Sequence, residues 1–165
     1  AARAVFAFGA ARPSEIDANF IERPDAPHIS ALGQIGVNSG AAEFVENFDR
    51  AFARGGGWFT GSRDCDLFIW ARHRDENATS IPALLALADL PPPAVMPLFP
   101  RPAPLSTMTW ALNFLTDHPS TDDGWWLMES RAENAAEGYS SQDMFVWNSK
   151  GEPVIAGRQS VAVFI

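Results

Sequence analysis

Residues 124–165, GWWLMESRAENAAEGYSSQDMFVWNSKGEPVIAGRQSVAVFI, read as three long antiparallel strands joined by tight turns. Trp126, Met128, Ser130 and Ala132 alternate with Leu127, Glu129, Arg131 and Glu133, a period of two. The next run sets Ser141, Asp143, Phe145 and Trp147 against Ser140, Gln142, Met144 and Val146, and the last sets Val154, Ala156, Arg158, Ser160 and Ala162 against Ile155, Gly157, Gln159, Val161 and Val163. Glu137-Gly138 and Ser149-Lys150-Gly151 supply the turns, since glycine takes positive φ without steric cost. Gln159 breaks the pattern. It shares the face of Ile155, Val161 and Val163, where a primary amide must find hydrogen-bond partners.

Working outward, residues 105–115 (LSTMTWALNFL) and 66–74 (DLFIWARHR) read as further strands, the latter with Leu67, Ile69 and Ala71 opposite Phe68, Trp70 and Arg72. Between them, residues 79–90 form the best helix candidate. Thr79 or Ser80 caps it, Pro82 fits its first turn, and Leu84, Leu87 and Ala88 make an apolar stripe. Pro91-Pro92-Pro93 then stops it. Residues 43–54 are ambiguous, because Phe44, Phe48 and Phe52 are spaced for a helix yet also suit a twisted strand. Residues 4–9 are a short apolar run with strand character. Residues 12–37 read as a linker broken by Pro13, Pro24, Pro27, Gly33 and Gly36, with a turn of helix near 15–20. A helix among antiparallel strands predicts an α+β domain in which the sheet wraps one helix.

Composition narrows the function. The 165 residues suffice for one well-cored domain, and 47% hydrophobic with 19% charged residues is globular usage. A net charge of −8 argues against a nucleic-acid surface, though a few local arginines could still hold a phosphate-bearing ligand. No apolar run reaches the roughly 18 residues of a membrane helix. The single Cys65 excludes an internal disulfide and fits a reducing, cytoplasmic setting. Asn77-Ala78-Thr79 matches a glycosylation sequon of the kind that arises by chance. The opening AARAVFAFGAARPS lacks an initiator Met and reads as a strand entered midway.

Nucleophile-elbow, P-loop and dinucleotide fingerprints are absent. His28, His73 and His118 lie in separate segments, so neither a metal nor another cofactor is expected, and Cys65 has no nearby His to make it a nucleophile. Three polar residues have two readings each. Asp89 ends the helix, where an acid opposes the dipole; it is either a solvated helix-end carboxylate or a partly buried one able to hold a water. Thr107 is an ordinary β former or a hydroxyl ligand. Gln159 is a satisfied buried amide or part of a site.

Taken together, LLALADLPPPAVMPLF, PLSTMTWALNF and the closing stretch resemble the carboxy-terminal half of thioesterase II (TesB-like) acyl-CoA thioesterases, over residues 43–165. The resemblance implies a hot-dog fold, the second half of a double hot dog. Residues 1–40 would then supply the last strand of a first hot dog plus a linker, and 41–165 the C-terminal hot dog. The family's catalytic Asp, Thr and Gln fall on Asp89 in ALADL, Thr107 in STMTW and Gln159 in AGRQSVAV. The implied reaction is hydrolysis of acyl-CoA to a free fatty acid and CoA by direct attack of water, with no acyl-enzyme. The acyl chain would lie along the helix and the Trp110 strand. Arg72, Arg74, Arg131 and Arg158 are the candidates for the CoA phosphates. A lone hot dog would leave a sheet edge bare, so a homo-oligomer built from hot-dog pairs is expected. Two alternatives remain open: a noncatalytic acyl-CoA-binding hot-dog module, and a hot-dog enoyl-CoA hydratase, the latter weakened because no Asp and His lie close together.

Overall fold

The computed structural model describes residues 2–32 and 42–165. Gly33 and Gly36 of the linker, and the expected domain boundary at 40/41, lie outside the described residues. Six strands form one antiparallel sheet: β1 Phe48–Arg54, β2 Asp66–His73, β3 Leu105–Phe114, β4 Trp126–Ala136, β5 Tyr139–Trp147 and β6 Pro153–Val163. Their spatial order is β1-β2-β4-β5-β6-β3. Since β2 lies next to one edge strand and β3 forms the other edge, the chain between them must cross a face. The crossing segment is helix α1, Ile81–Ala88, followed by the proline-rich stretch.

The closing stretch folds as its alternation requires. β4 and β5 are joined by Glu137 and Gly138, with φ of 52° and 79°, the paired left-handed conformations of a hairpin turn matched to strand twist. On the inner face, Leu67, Ile69, Ala71, Met128, Val146 and Ile155 pack against Leu84, Leu87 and Ala88 of α1. Each Leu, Ile, Met or Val side chain so buried is worth about 1.5–3 kcal/mol. A one-residue slip of any central strand would turn its whole set outward, so the register is fixed by burial. The helix is capped by Ser80, whose hydroxyl accepts from the Ala83 N–H, and it ends at Asp89.

The outer face has a different cover. Ala51, Phe68, Trp70, Leu127 and Trp147 form a second cluster, and Ile21, Ala26, Ile29 and Leu32 pack onto it. This strap is tied by Trp70 Nε1 donating to the Pro27 carbonyl at 2.8 Å and Arg54 Nη1 donating to the Asp25 carbonyl at 2.8 Å. It contains one short 3-10 turn, Ile29–Ala31, and no turn of helix forms near 15–20. Residues 4–9 form no strand, with Val5, Phe6 and Phe8 all exposed. A strand needs a neighbour for its N–H and C=O groups, and the described sheet offers this run none. The ambiguous stretch divides: Glu43–Asn47 is a 3-10 helix and the remainder is β1.

Candidate active site

Gln159 points from β6 to the inner face, as its phase requires, and is 5% exposed. Across the ladder it stands opposite Gln142 of β5 on one side and Trp110 of β3 on the other. Gln142 is buried still deeper, at 1% exposed. Sequence reasoning passed over it, although its signal was the same as that of Gln159: an amide in phase with Met144 and Val146.

Thr107 reaches this pair because β3 is not regular. The ladder to β6 matches Thr107 with Val161 but Thr109 with Ser160, so Met108 is an extra residue, a β-bulge. Counting back from Trp110 by strict alternation puts Thr107 on the outer face. The bulge changes the phase and brings Thr107 inward, where its Oγ1 accepts a hydrogen bond from Gln159 Nε2 at 3.1 Å.

A continuous set of bonds results. The Ala94 N–H donates to Gln142 Oε1 at 2.8 Å, Gln142 Nε2 donates to Gln159 Oε1 at 2.9 Å, and Gln159 Nε2 donates to Thr107. A buried amide without partners costs about 1–3 kcal/mol, and these bonds offset that cost for both glutamines. Pro91, Pro92 and Pro93 have no N–H to give. The stretch that departs most from ordinary helix chemistry therefore delivers a buried backbone donor to the site.

Asp89 closes α1, its backbone N–H bonded to the Leu85 carbonyl at 3.2 Å. Burial raises its carboxyl above the ordinary aspartate value. The side chain as a whole nonetheless keeps an open surface, so its neighbours shield the carboxyl from only part of its water. Among the described residues its carboxylate makes no hydrogen bond to Thr107 or Gln159; its segment is joined to theirs by the hydrogen bond from the Ala94 N–H to Gln142. The structure thus joins two of the three expected residues directly and the third through the proline stretch.

A hollow of about 1060 Å³ opens beside the other end of α1 and is lined by none of the three. Arg72, His73 and Thr79 line it. The four arginines singled out in the sequence all face carboxylates. Arg72 and Arg74 each bond Asp49 at 3.0 Å, Arg158 bonds Asp143 and Glu133, and Arg131 lies 3.8 Å from Asp143. Among the described residues no three His, Cys, Asp or Glu side chains gather as a metal site, and no helix is long and apolar enough to cross a membrane.

Residues 21–163 match the acyl-CoA thioesterase C-terminal domain family. The chain belongs to that family. Comparison with curated proteins gave no match. Among solved structures, a hot-dog protein of unknown function from Alicyclobacillus acidocaldarius superposes with a TM-score of 0.78 at 23% identity, covering 93% of this chain and 59% of that one. A TesB protein from Mycobacterium avium subspecies paratuberculosis gives 0.66 at 14% identity, covering 90% and 56%. A hypothetical thioesterase from Streptococcus pneumoniae, solved with coenzyme A, gives 0.51 at 13% identity, covering 72% and 86%. At these identities the superpositions establish the fold, which is the hot dog. This thioesterase C-terminal domain spans a little over half the length of the first two.

Proposed function

We propose that the chain is the C-terminal hot dog of an acyl-CoA thioesterase that hydrolyses acyl-CoA to a free fatty acid and CoA. The observation that carries this reading is the Gln159–Thr107 hydrogen bond on the inner face, joined through Gln142 and Ala94 to the segment that bears Asp89. Asp89 is assigned the base. Its raised carboxyl suits proton exchange with water better than an ordinary aspartate does. It takes a proton from water as the water oxygen bonds to the thioester carbonyl carbon. The carbon–sulfur bond then breaks, and the proton passes from Asp89 to the departing CoA thiolate, so no acyl-enzyme forms. Thr107 and Gln159 hold the water and place the carbonyl. The acyl chain runs along α1 and the Trp110 strand.

Family membership supports the chemistry, and the pneumococcal neighbour's coenzyme A supports the substrate class. Residues 1–40 are assigned to the end of a first hot dog and its linker. The working species is a pair of hot dogs. Edge strand β3 supports this, with Met108 at 58%, Phe114 at 38% and Leu115 at 44% exposed beside Phe164 and Ile165. A cytoplasmic setting accords with the unpaired Cys65.

A noncatalytic acyl-CoA-binding module is the second reading. It is favoured by the lack of a hydrogen bond between Asp89 and the Thr107–Gln159 pair. Thiol release from short, medium and long acyl-CoAs, measured on wild type and Asp89→Asn, separates the two. Turnover that depends on Asp89 supports the thioesterase, and binding without turnover supports the module.

A further inference from the structure

Which end of an amide side chain faces which neighbour is set by the hydrogen bonds around it, and in this relay one partner has no choice. The Ala94 backbone N–H can only donate. The atom of Gln142 that meets it must be the carbonyl oxygen, so the Gln142 NH2 is turned toward Gln159. Gln159 must then present its own oxygen to Gln142 and its NH2 to Thr107. Thr107 is thereby made an acceptor on that side, and its hydroxyl proton is free for a water or a substrate oxygen.

We infer that Gln142 is a positioning residue that sets the orientation of the Gln159 amide, with Ala94 as the fixed end of the chain. The inference rests on the thioesterase reading only where it concerns rate; the orientation stands on its own. With Gln142 absent, Gln159 could turn over and offer its oxygen to Thr107. Thr107 would then donate to Gln159, and its proton would be lost to the site. Gln142 touches neither water nor substrate in this scheme and acts through Gln159.

The test uses Gln142→Met, which keeps the side-chain length and removes both bonds, in the full chain. In isotope-labelled wild type, the Gln159 NH2 protons should show a nuclear Overhauser contact to the Thr107 methyl. In Gln142→Met that contact should weaken or vanish, and kcat should fall about tenfold with KM within about twofold, the loss of roughly one hydrogen bond's worth of positioning. In a Gln159→Met background, adding Gln142→Met should lower kcat no further. An unchanged contact in folded Gln142→Met overturns the inference, as does a full additional loss in the double variant. If Gln142→Met fails to fold, Gln142→Glu replaces it: an ionised carboxylate still accepts from Ala94 but requires the Gln159 NH2, so the contact to Thr107 must disappear. A wild type that releases no thiol overturns the thioesterase reading alone, and the methyl contact then decides the orientation.

Discussion

Gln159 Nε2 donates to Thr107 Oγ1 at 3.1 Å across the β3–β6 ladder, and it does so only because Met108 bulges out between Thr107 and Thr109. Two threonines separated by a single residue are thereby given different surroundings. Thr107 meets the buried amide, while Thr109 pairs in register with Ser160. Thr107→Val should reduce kcat for acyl-CoA hydrolysis about 10²-fold, and Thr109→Val should leave it within about twofold. Equal effects in parallel turnover assays would remove Thr107 from the site.

Asp89→Asn should lower kcat by at least about 10²-fold, with the melting temperature equal to or above that of wild type. The acid sits at the negative end of α1, where its charge opposes the dipole, so neutralising it relieves the fold. Thiol release and thermal melts on the same preparation check both halves. A melting temperature that drops with activity would make Asp89 a structural residue.

The same carboxyl fixes the sign of two pH effects. Its folded-state pKa lies above its unfolded value, so protonation favours the native state. Its contribution to stability is fully present below the ordinary value of 3.8 and is lost as pH rises through the raised value. Activity runs the other way, since the base works only when ionised. The acid limb of kcat/KM should therefore lie above the usual aspartate range and disappear in Asp89→Asn. Asp49 behaves oppositely. Burial pushes it up, but the hydrogen bonds and charges of Arg72 and Arg74 outweigh that and lower it, so its stabilisation is present above 3.8 and lost as pH falls through the lowered value.

Gly157→Ala should destabilise the domain by about 1–3 kcal/mol, read as a lower denaturant midpoint at unchanged slope. A β-carbon there would press on the Leu112 side chain and stand 2.7 Å from the Ala111 carbonyl oxygen. Gly157 lies opposite Leu112 in the ladder, two residues from Gln159, so β3 would be pushed from the strand that holds its hydroxyl partner. An unchanged midpoint would mean that β3 yields without loss.

Sedimentation should show a species larger than the 18.0 kDa monomer, because among the described residues β3 is an edge strand with exposed apolar side chains on it. A well-folded monomer at micromolar concentration would refute the pairing.

Most of the sheet was legible because side chains alternate between the two faces of a strand. β5 shows this as a near-regular alternation of burial, whereas β2, covered on both faces, is buried at every residue from Leu67 to Ala71 and was legible as an apolar run. What escaped had physical causes. Phe44, Phe48 and Phe52 suggested one helical face, yet only Phe48 is in the core, at 6% exposed, while the others stand at 55% and 47%. Residues 4–9 have strand composition, but no strand of the described sheet pairs with them. In the site, Gln159 was marked by its phase and Gln142 carried the same mark unnoticed. Thr107 carried no local mark. A bulge leaves no trace in the alternation before it, and only resemblance to a family pointed to that residue.

The outer face of the sheet is covered by residues 21–32, chain that belongs to no strand ladder. Its retention depends on four partly buried side chains and two ties to backbone carbonyls. Such a cover is the part of a domain that opens first, before any strand lets go. Trp70 and Trp147 lie in the cluster beneath it, so its lifting would wet indoles while the inner face and its amide chain stay closed. Intrinsic fluorescence should therefore change at lower denaturant than the far-ultraviolet dichroism of the sheet, and this single domain would melt in two steps.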